Sequence, residues 1–487
     1  MKEYFTLHKK KLALLTGIVL FLFFFFYNPF FLLPKAKLVL AIATVMISWW
    51  VLDAMPLPVV ALLPIVLFPL FDISTIMEVT SSYSDAIVFL FMGGFFIGIA
   101  IEKWNLHKRI ALSIINITGT NGNKIILGFI LATGFLSLWL SNTATTMMMF
   151  PIAISVIHVV GSHQNGEEGS MKNFSLVLML SIAYASNFAL GTIIGTPPNV
   201  AYVNYITEKF NYNISFTAWM IAFIPLTIVL LFVLYWILVK WLYPNGIKHS
   251  EKGKAFIDDE LKKLGKISTP EKRTAIIFIL TVLCWISKDF INSCQEIITL
   301  DDSIIAMIGA ISLFAIPAGK NNDTKNERLL EWEDTTKMAW GILILFGGGI
   351  ALAKALEEVK IMEQLGAYVA SYSTGNTFLM MLIVVTVSVF LSEVMSNVAQ
   401  VMVMAPVISS VAISLHMDPL LLGIPMTLGA SCASMLPMGT PPNAIVFASG
   451  YIKMRDMIKT GFVLNIVCIV IITLFCYFLQ PMIMKLI

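Results

Sequence analysis

Apolar residues fall along this chain in long runs, and polar residues collect between the runs rather than alternating within them. The runs at 12–33, 37–52, 57–71, 86–101, 218–242, 274–291, 304–316, 339–356 and 463–479 predict helices that are apolar on every face. A bilayer core takes roughly 20 apolar residues as a helix, so the pattern predicts an all-α integral membrane protein. The run at 12–33 is too long for the core of a signal peptide, and no small-residue cleavage site follows it. It reads as a retained first helix, which makes residues 1–36 an N-terminal segment with one span.

Composition agrees. Hydrophobic residues make up 58% of the 487 positions and charged residues 13%, too few charges to cover a soluble surface. The net charge of +3 gives no reason to expect a nucleic-acid partner. The placement of charge is more telling. If Lys9, Lys10 and Lys11 are cytoplasmic, alternate loops should be basic. The loop at 102–124 carries Lys103, Lys108, Arg109 and Lys124, and 240–273, 320–337 and 453–459 are basic as well. The opposite loops at 72–85 and 206–217 hold no basic residue and one. This predicts an odd number of spans, with the N-terminus inside and the C-terminus outside.

A charged stretch at 244–271, too polar to span, predicts a cytoplasmic and partly helical linker between two halves, 37–243 and 272–487. The halves repeat. Phe91-Met92-Gly93-Gly94 matches Phe346-Gly347-Gly348-Gly349, and Ser141-Asn142-Thr143-Ala144 matches Ser396-Asn397-Val398-Ala399. Gly195-Thr196-Pro197-Pro198-Asn199 matches Gly439-Thr440-Pro441-Pro442-Asn443. From Gly93 to Ser141 and from Gly348 to Ser396 the distance is 48 positions in both cases. Ser137 and Ser392 each stand four before their motif, and Pro151 and Pro406 each stand ten after its first Ser. An odd number of crossings between the copies makes this an inverted-topology repeat, an architecture of secondary transporters with sites at the repeat interface.

Proline lacks a donor and clashes with the preceding turn, so the two Pro-Pro pairs must interrupt helices at membrane depth. Freed backbone groups survive there only when buried in protein or lining a cavity. The exposed carbonyls can bind a cation, and the N-terminus of the next half-helix can bind an anion. Ser137 lies about one turn before Ser141, so their hydroxyls are expected on one helix face, converging with Asn142 and the Gly195 carbonyl. Neutral oxygens of this kind suit sodium, and Ser392, Asn397 and the Gly439 carbonyl form the equivalent set. Ser186 and Asn187 have no matched partner and read as ordinary contacts across helices. Glu393 is an intramembrane carboxylate; it tunes the second cation site, titrates, or holds the hairpin by a hydrogen bond. The methionines and the five cysteines read as packing residues.

These paired motifs resemble the divalent anion:sodium symporters, a family that imports succinate, fumarate, malate, citrate or sulfate. The resemblance runs from about residue 38 to the C-terminus. It implies about eleven transmembrane helices plus two re-entrant hairpins in each subunit of a homodimer, with an elevator-type transport domain. It further implies that Ser141, Asn142, Thr143, Ser396 and Asn397 contact the substrate, with Thr196, Pro197, Thr440 and Pro441 beside them. One sodium ion would be held by Ser137, Ser141, Asn142 and Gly195, the other by Ser392, Asn397 and Gly439. At Val398 many members carry Thr, so a hydrogen bond worth about 0.5–1.5 kcal/mol is missing there. No Arg or Lys occupies a motif position.

The expected function is sodium-coupled symport of small dicarboxylates across the inner (plasma) membrane, with sodium as coupling ion and no other cofactor. The alternatives of the same fold are a sodium-independent dicarboxylate exchanger and a citrate or sulfate carrier. An enzyme is not expected: the six histidines have no metal-ligand spacing, and no catalytic signature occurs. A channel is disfavoured because inverted repeats with broken helices serve alternating access.

Overall fold

Proline and capping residues decide where the apolar runs become helices. The first helix, Lys2–Phe26, stops ahead of Pro29 instead of reaching residue 33, because a residue before proline is pushed out of the helical region. The run at 57–71 divides into Leu57–Val60 and Leu63–Leu70, each opening with a proline in its first turn. The run at 274–291 lengthens to Thr269–Cys294, started by a reciprocal capping box between Ser268 and Glu271. The stretch 102–124, expected as a loop, contains the helix Leu106–Thr118, whose His107, Ala111 and Ile115 form a buried stripe at every fourth position.

The computed structural model describes residues 2–28, 32–52, 54–119, 121–161, 168–212, 214–247, 251–295, 297–319, 327–361, 368 and 376–479. Linker positions 248–250 and loop positions 320–326 therefore lie outside the described residues. Among those described the chain is helical, with one isolated bridge between Pro317 and Arg328. Seven of these helices are long and apolar enough to cross a bilayer, including Pro34–Val51, Asn142–Gly161, Trp340–Glu358 and Met454–Phe478. Outward faces are apolar: Ile221, Ile228 and Phe232 on Phe216–Trp236, and Ile276, Ile279, Leu283 and Phe290 on Thr269–Cys294, are exposed. The interior instead holds buried Ser, Thr and Asn, the arrangement expected where lipid is the solvent.

Two groups of helices emerge. In one, Ala86–Lys103 packs along Asp302–Ala315, which also meets Thr269–Cys294, and Trp340–Glu358 packs on Pro34–Val51 and Leu57–Val60. The repeated glycines explain these contacts. A Cβ on Gly93 would lie 2.6 Å from the Ala306 backbone, and one on Gly348 would lie 2.2 Å from the Ala61 carbonyl oxygen. Each glycine admits a backbone from the other half of the chain.

The second group holds the remaining motifs. A first hairpin (Gly122–Ser137 and Asn142–Gly161) packs on a first broken helix (Glu168–Asn187 and Pro197–Phe210). A second hairpin (Thr377–Ser392 and Asn397–Ser414) packs likewise on a second broken helix (Pro419–Ala430 and Pro441–Phe447). The broken helices cross. The leading half of each packs on the trailing half of the other, and the returning arm of each hairpin packs on the trailing half from the opposite repeat.

Polar clamps join these parts at the surface. The linker contains the helix Glu251–Lys263. Arg109 reaches over it to Glu271 and to the carbonyls of Leu264 and Gly265, and Lys108 pairs with Glu260 at 3.0 Å. At the far end of the first broken helix, Glu208 pairs with Lys354 and Lys209 with Glu357 of Trp340–Glu358.

Candidate functional site

The hairpins turn at the predicted motifs. Gly122–Ser137 ends at Ser137, and the next helix starts at Asn142; Thr377–Ser392 ends at Ser392, and its partner starts at Asn397. One detail differs from expectation. Ser137 and Ser141 do not share a helix face, because the helix stops between them. The Ser141 hydroxyl instead accepts the Ala144 N–H at 3.2 Å, capping the returning helix. A capping serine is favoured at that position over continuation of the helix.

The Gly-Thr-Pro-Pro-Asn segments stop and restart their helices by one local scheme. Thr196 and Thr440 are extended N-cap residues, and the prolines occupy the first turn of the trailing half-helix. Asn199 Nδ2 then reaches back to the carbonyls of Leu190 and Thr192, at 3.2 and 3.0 Å. Asn443 Nδ2 does the same to Ala433 and Leu436, at 3.3 and 3.2 Å. These two asparagines close the only part of each motif that sequence reasoning left without a role. They were findable, because each ends a repeated pentapeptide.

In the first repeat, the break and the hairpin turn meet directly. Thr192 Oγ1 donates to the Leu138 carbonyl at 2.6 Å and accepts the Gly195 N–H at 2.9 Å. A Cβ on Gly195 would stand 2.6 Å from the Ala189 carbonyl oxygen and 3.2 Å from that of Ser137, so only glycine fits. Beside this contact, Ser137 Oγ and Asn142 Oδ1 are buried with no hydrogen-bond partner among the described residues. Buried oxygens are normally satisfied. Thr145 Oγ1, three residues beyond Asn142, and Asn199 Oδ1, at the break, are open in the same way, so turn and break together leave several uncharged oxygens free to meet a donor or a cation.

In the second repeat the same positions hold each other. Ser392 Oγ donates to Asn397 Oδ1 at 2.6 Å and also lies against the Ala430 carbonyl. Glu393 replaces the Leu138 of the first repeat. Its buried carboxylate accepts N–H groups from Ser434 (2.8 Å), Met435 (2.9 Å) and Leu436 (3.1 Å), and from Asn465 Nδ2 (2.7 Å). Four donors on one carboxylate identify Glu393 as a brace between the hairpin turn and the unwound segment before Gly439. Of the roles left open from sequence, this is the hydrogen-bonding one.

Ser141, Asn142, Thr143, Ser396 and Asn397 are partly exposed at the turns, and Pro441 is exposed, whereas Thr196 and Thr440 are buried. Val398 is buried in the apolar core. The first N–H groups of the helices starting at Asn142 and Asn397 have no intrahelical acceptors, whereas Pro197 and Pro198 have no N–H and the Asn199 N–H turns back to the Thr196 carbonyl at 3.1 Å. Glu393 is the charged residue closest in sequence to these motifs, so the arrangement offers an anion hydroxyls, amides and helix ends.

Ser186 and Asn187 are not idle. Ser186 bonds to Thr146 at 3.2 Å. Asn187 Nδ2 reaches into the second repeat, and Ser431 Oγ reaches back to Thr196 Oγ1 at 3.5 Å. Asn187 and Ser431 each stand eight positions before the glycine of their pentapeptide. They are matched positions holding different residues, which is why a search for identical motifs passes over them.

The model of the sodium:sulfate symporter transmembrane region matches residues 7–486. The sodium-dependent dicarboxylate transporter SdcS of Staphylococcus aureus strain USA300 is 40% identical over 479 residues, covering 97% of this chain and 92% of that protein. Its counterpart in strain MSSA476 is 39% identical over the same extent. Among solved structures, the Alcanivorax borkumensis YdaH transporter superposes with a TM-score of 0.57 at 11% identity, covering 82% of this chain and 86% of that one. Neisseria gonorrhoeae MtrF does so with a TM-score of 0.53 at 10% identity, covering 82% and 83%. At these identities the two structures speak for the fold alone.

Proposed function

The chain belongs to the sodium:sulfate symporter family, and we propose that it carries small dicarboxylates such as succinate, fumarate and malate inward together with sodium ions. The observation that carries this reading is the pair of buried, unpartnered oxygens on Ser137 and Asn142, beside the Ser137–Gly195 contact. In this reading Ser137, Ser141, Asn142 and Gly195 hold one sodium ion, and Ser392, Asn397 and Gly439 hold the other. Ser141, Asn142, Thr143, Ser396 and Asn397 take the carboxylates, with Thr196, Pro197, Val398, Thr440 and Pro441 around them. With no Arg or Lys at a motif position, the bound sodium supplies much of the positive charge the anion meets. Affinity for the anion then depends on sodium occupancy, which is the free-energy coupling that symport requires.

The wider architecture in this reading is the one the family resemblance implies. Each subunit of a homodimer has about eleven spans and two re-entrant hairpins, with the N-terminus cytoplasmic and the C-terminus outside the inner (plasma) membrane. Residues 1–36 form the first span, 37–243 and 272–487 the two repeats, and 244–271 the cytoplasmic linker. The hairpins, broken helices and their partner helices move as an elevator-type transport domain against the helices packed around Gly93 and Gly348. Uptake of labelled succinate into proteoliposomes, with and without a sodium gradient, tests the function. Uptake that is the same without sodium on either side refutes symport.

A further inference from the structure

We infer that Asn187 is a positioning residue that couples the two sodium sites to each other. The inference rests on the sodium-coupled reading and goes beyond it, because Asn187 belongs to neither ligand set.

Asn187 is the last residue of the leading half of the first broken helix and is 2% exposed. Its Nδ2 lies 3.2 Å from Thr440 Oγ1, 3.4 Å from the Ala433 carbonyl oxygen and 3.4 Å from Asn443 Oδ1. All three acceptors belong to the second break. Thr440 follows Gly439, whose carbonyl belongs to the second cation site. Asn443 Nδ2 donates to Ala433 and Leu436, so it sets the path of the unwound backbone. Three residues earlier on the same half-helix, Tyr184 donates to the Ser434 carbonyl at 2.8 Å. On its own side, Asn187 opens the unwound segment that runs through Thr192 to Gly195, against Ser137. Any shift of one unwound segment on taking up a cation therefore moves the amide that positions the other.

The reciprocal contact is weaker. Ser431, the matched position, offers a single contact to Thr196 at 3.5 Å. Of the two matched positions, Asn187 therefore carries the coupling. The amide does not titrate, so its effect on sodium binding is independent of its protonation.

The test is a sodium titration of labelled succinate uptake in proteoliposomes for wild type, Asn187→Ala, Asn187→Ser and the exchange Asn187→Ser with Ser431→Asn. The wild type is expected to respond with a Hill coefficient above one. Asn187→Ala should lower that coefficient toward one and raise the sodium half-saturation by a factor in the range of roughly 5- to 150-fold typical of site–site coupling. At saturating sodium its succinate half-saturation should change much less. Asn187→Ser should fall between, and the exchange should recover cooperativity by moving the amide to the other side of the crossing. A variant that loses fold would lose its thermal transition in detergent; the serine variant and the exchange then decide. Wild-type uptake indifferent to sodium would overturn the proposed function itself. Sodium-dependent wild-type uptake without cooperativity, or well-folded variants with wild-type Hill coefficient and sodium half-saturation, would overturn the coupling role alone.

Discussion

Replacing Glu393 by Gln removes one negative charge and one acceptor from a carboxylate that is 4% exposed. Oε1 accepts from Ser434 N, Met435 N and Asn465 Nδ2, and Oε2 accepts from Leu436 N. A glutamine that keeps its oxygen at the Oε1 position retains three partners and turns its own N–H groups toward the Leu436 N–H. One hydrogen bond to a charged acceptor is lost, at about 1.5–3 kcal/mol. The three retained bonds fall to roughly half their strength, as neutral acceptors do. If the lost bond alone falls on the sodium-competent shape of the segment before Gly439, sodium half-saturation rises roughly 10- to 150-fold. Two measurements read this: a sodium titration of succinate uptake in proteoliposomes, and the thermal midpoint of the purified protein. Asn465→Ala removes one of the four donors and should move both in the same direction by less. A Glu393→Gln protein with wild-type midpoint and wild-type sodium half-saturation would refute the bracing role.

Three further outcomes follow from contacts elsewhere. Burial holds the His107 imidazole below its ordinary pKa, with its Nδ1 3.0 Å from the Ile101 carbonyl oxygen and with Glu102 and Lys108 nearby. The unfolded chain therefore takes up a proton first as pH falls through about 6.5, so stability is full above that value and declines below it. His107→Asn, which keeps an N–H donor there, should flatten the acid limb of the thermal midpoint between pH 8 and 5. Arg109→Ala leaves the buried Glu271 carboxylate without its cation and frees the carbonyls of Leu264 and Gly265. A loss of about 1–3 kcal/mol is expected, discounted for the partly exposed guanidinium, with Arg109→Lys recovering only part of the midpoint. Val398→Thr restores a hydroxyl at the third position of the second motif. It should change succinate half-saturation by about 2- to 12-fold, and unchanged affinity across a panel of dicarboxylates would show that residue 398 does not face the anion.

The parts legible from sequence are those in which the two halves carry the same letters. Pro-Pro pairs and the Ser-Asn turns announce broken helices because few residues tolerate such positions in a membrane. Helix ends were less legible. Lys2–Phe26 stops short of the end of its run, Asp302–Ala315 is shifted toward its Asp301 cap, and Thr269–Cys294 is extended, by caps and prolines that hydropathy does not weigh. Leu106–Thr118 was hidden because its charges, read as loop signals, occupy one face of an amphipathic helix. The Ser137–Ser141 relation failed because serine at a helix start serves the backbone before it serves a ligand. Glu393 could not be resolved from sequence, since its four donors come from a segment forty residues away and from Met454–Phe478. Asn187 and Ser431 stayed unmatched because function was kept at the position while the residue was not.

The crossing of the broken helices makes each half of the chain depend on the other: Asn187 reaches Thr440 and Ser431 reaches Thr196 at the breaks, just as Gly93 rests on Ala306 and Gly348 on Ala61 in the other group of helices. Because both copies lie in one polypeptide, the two sides of the crossing are free to differ, and they do: an amide at 187 against a hydroxyl at 431, and a carboxylate at 393 against leucine at 138.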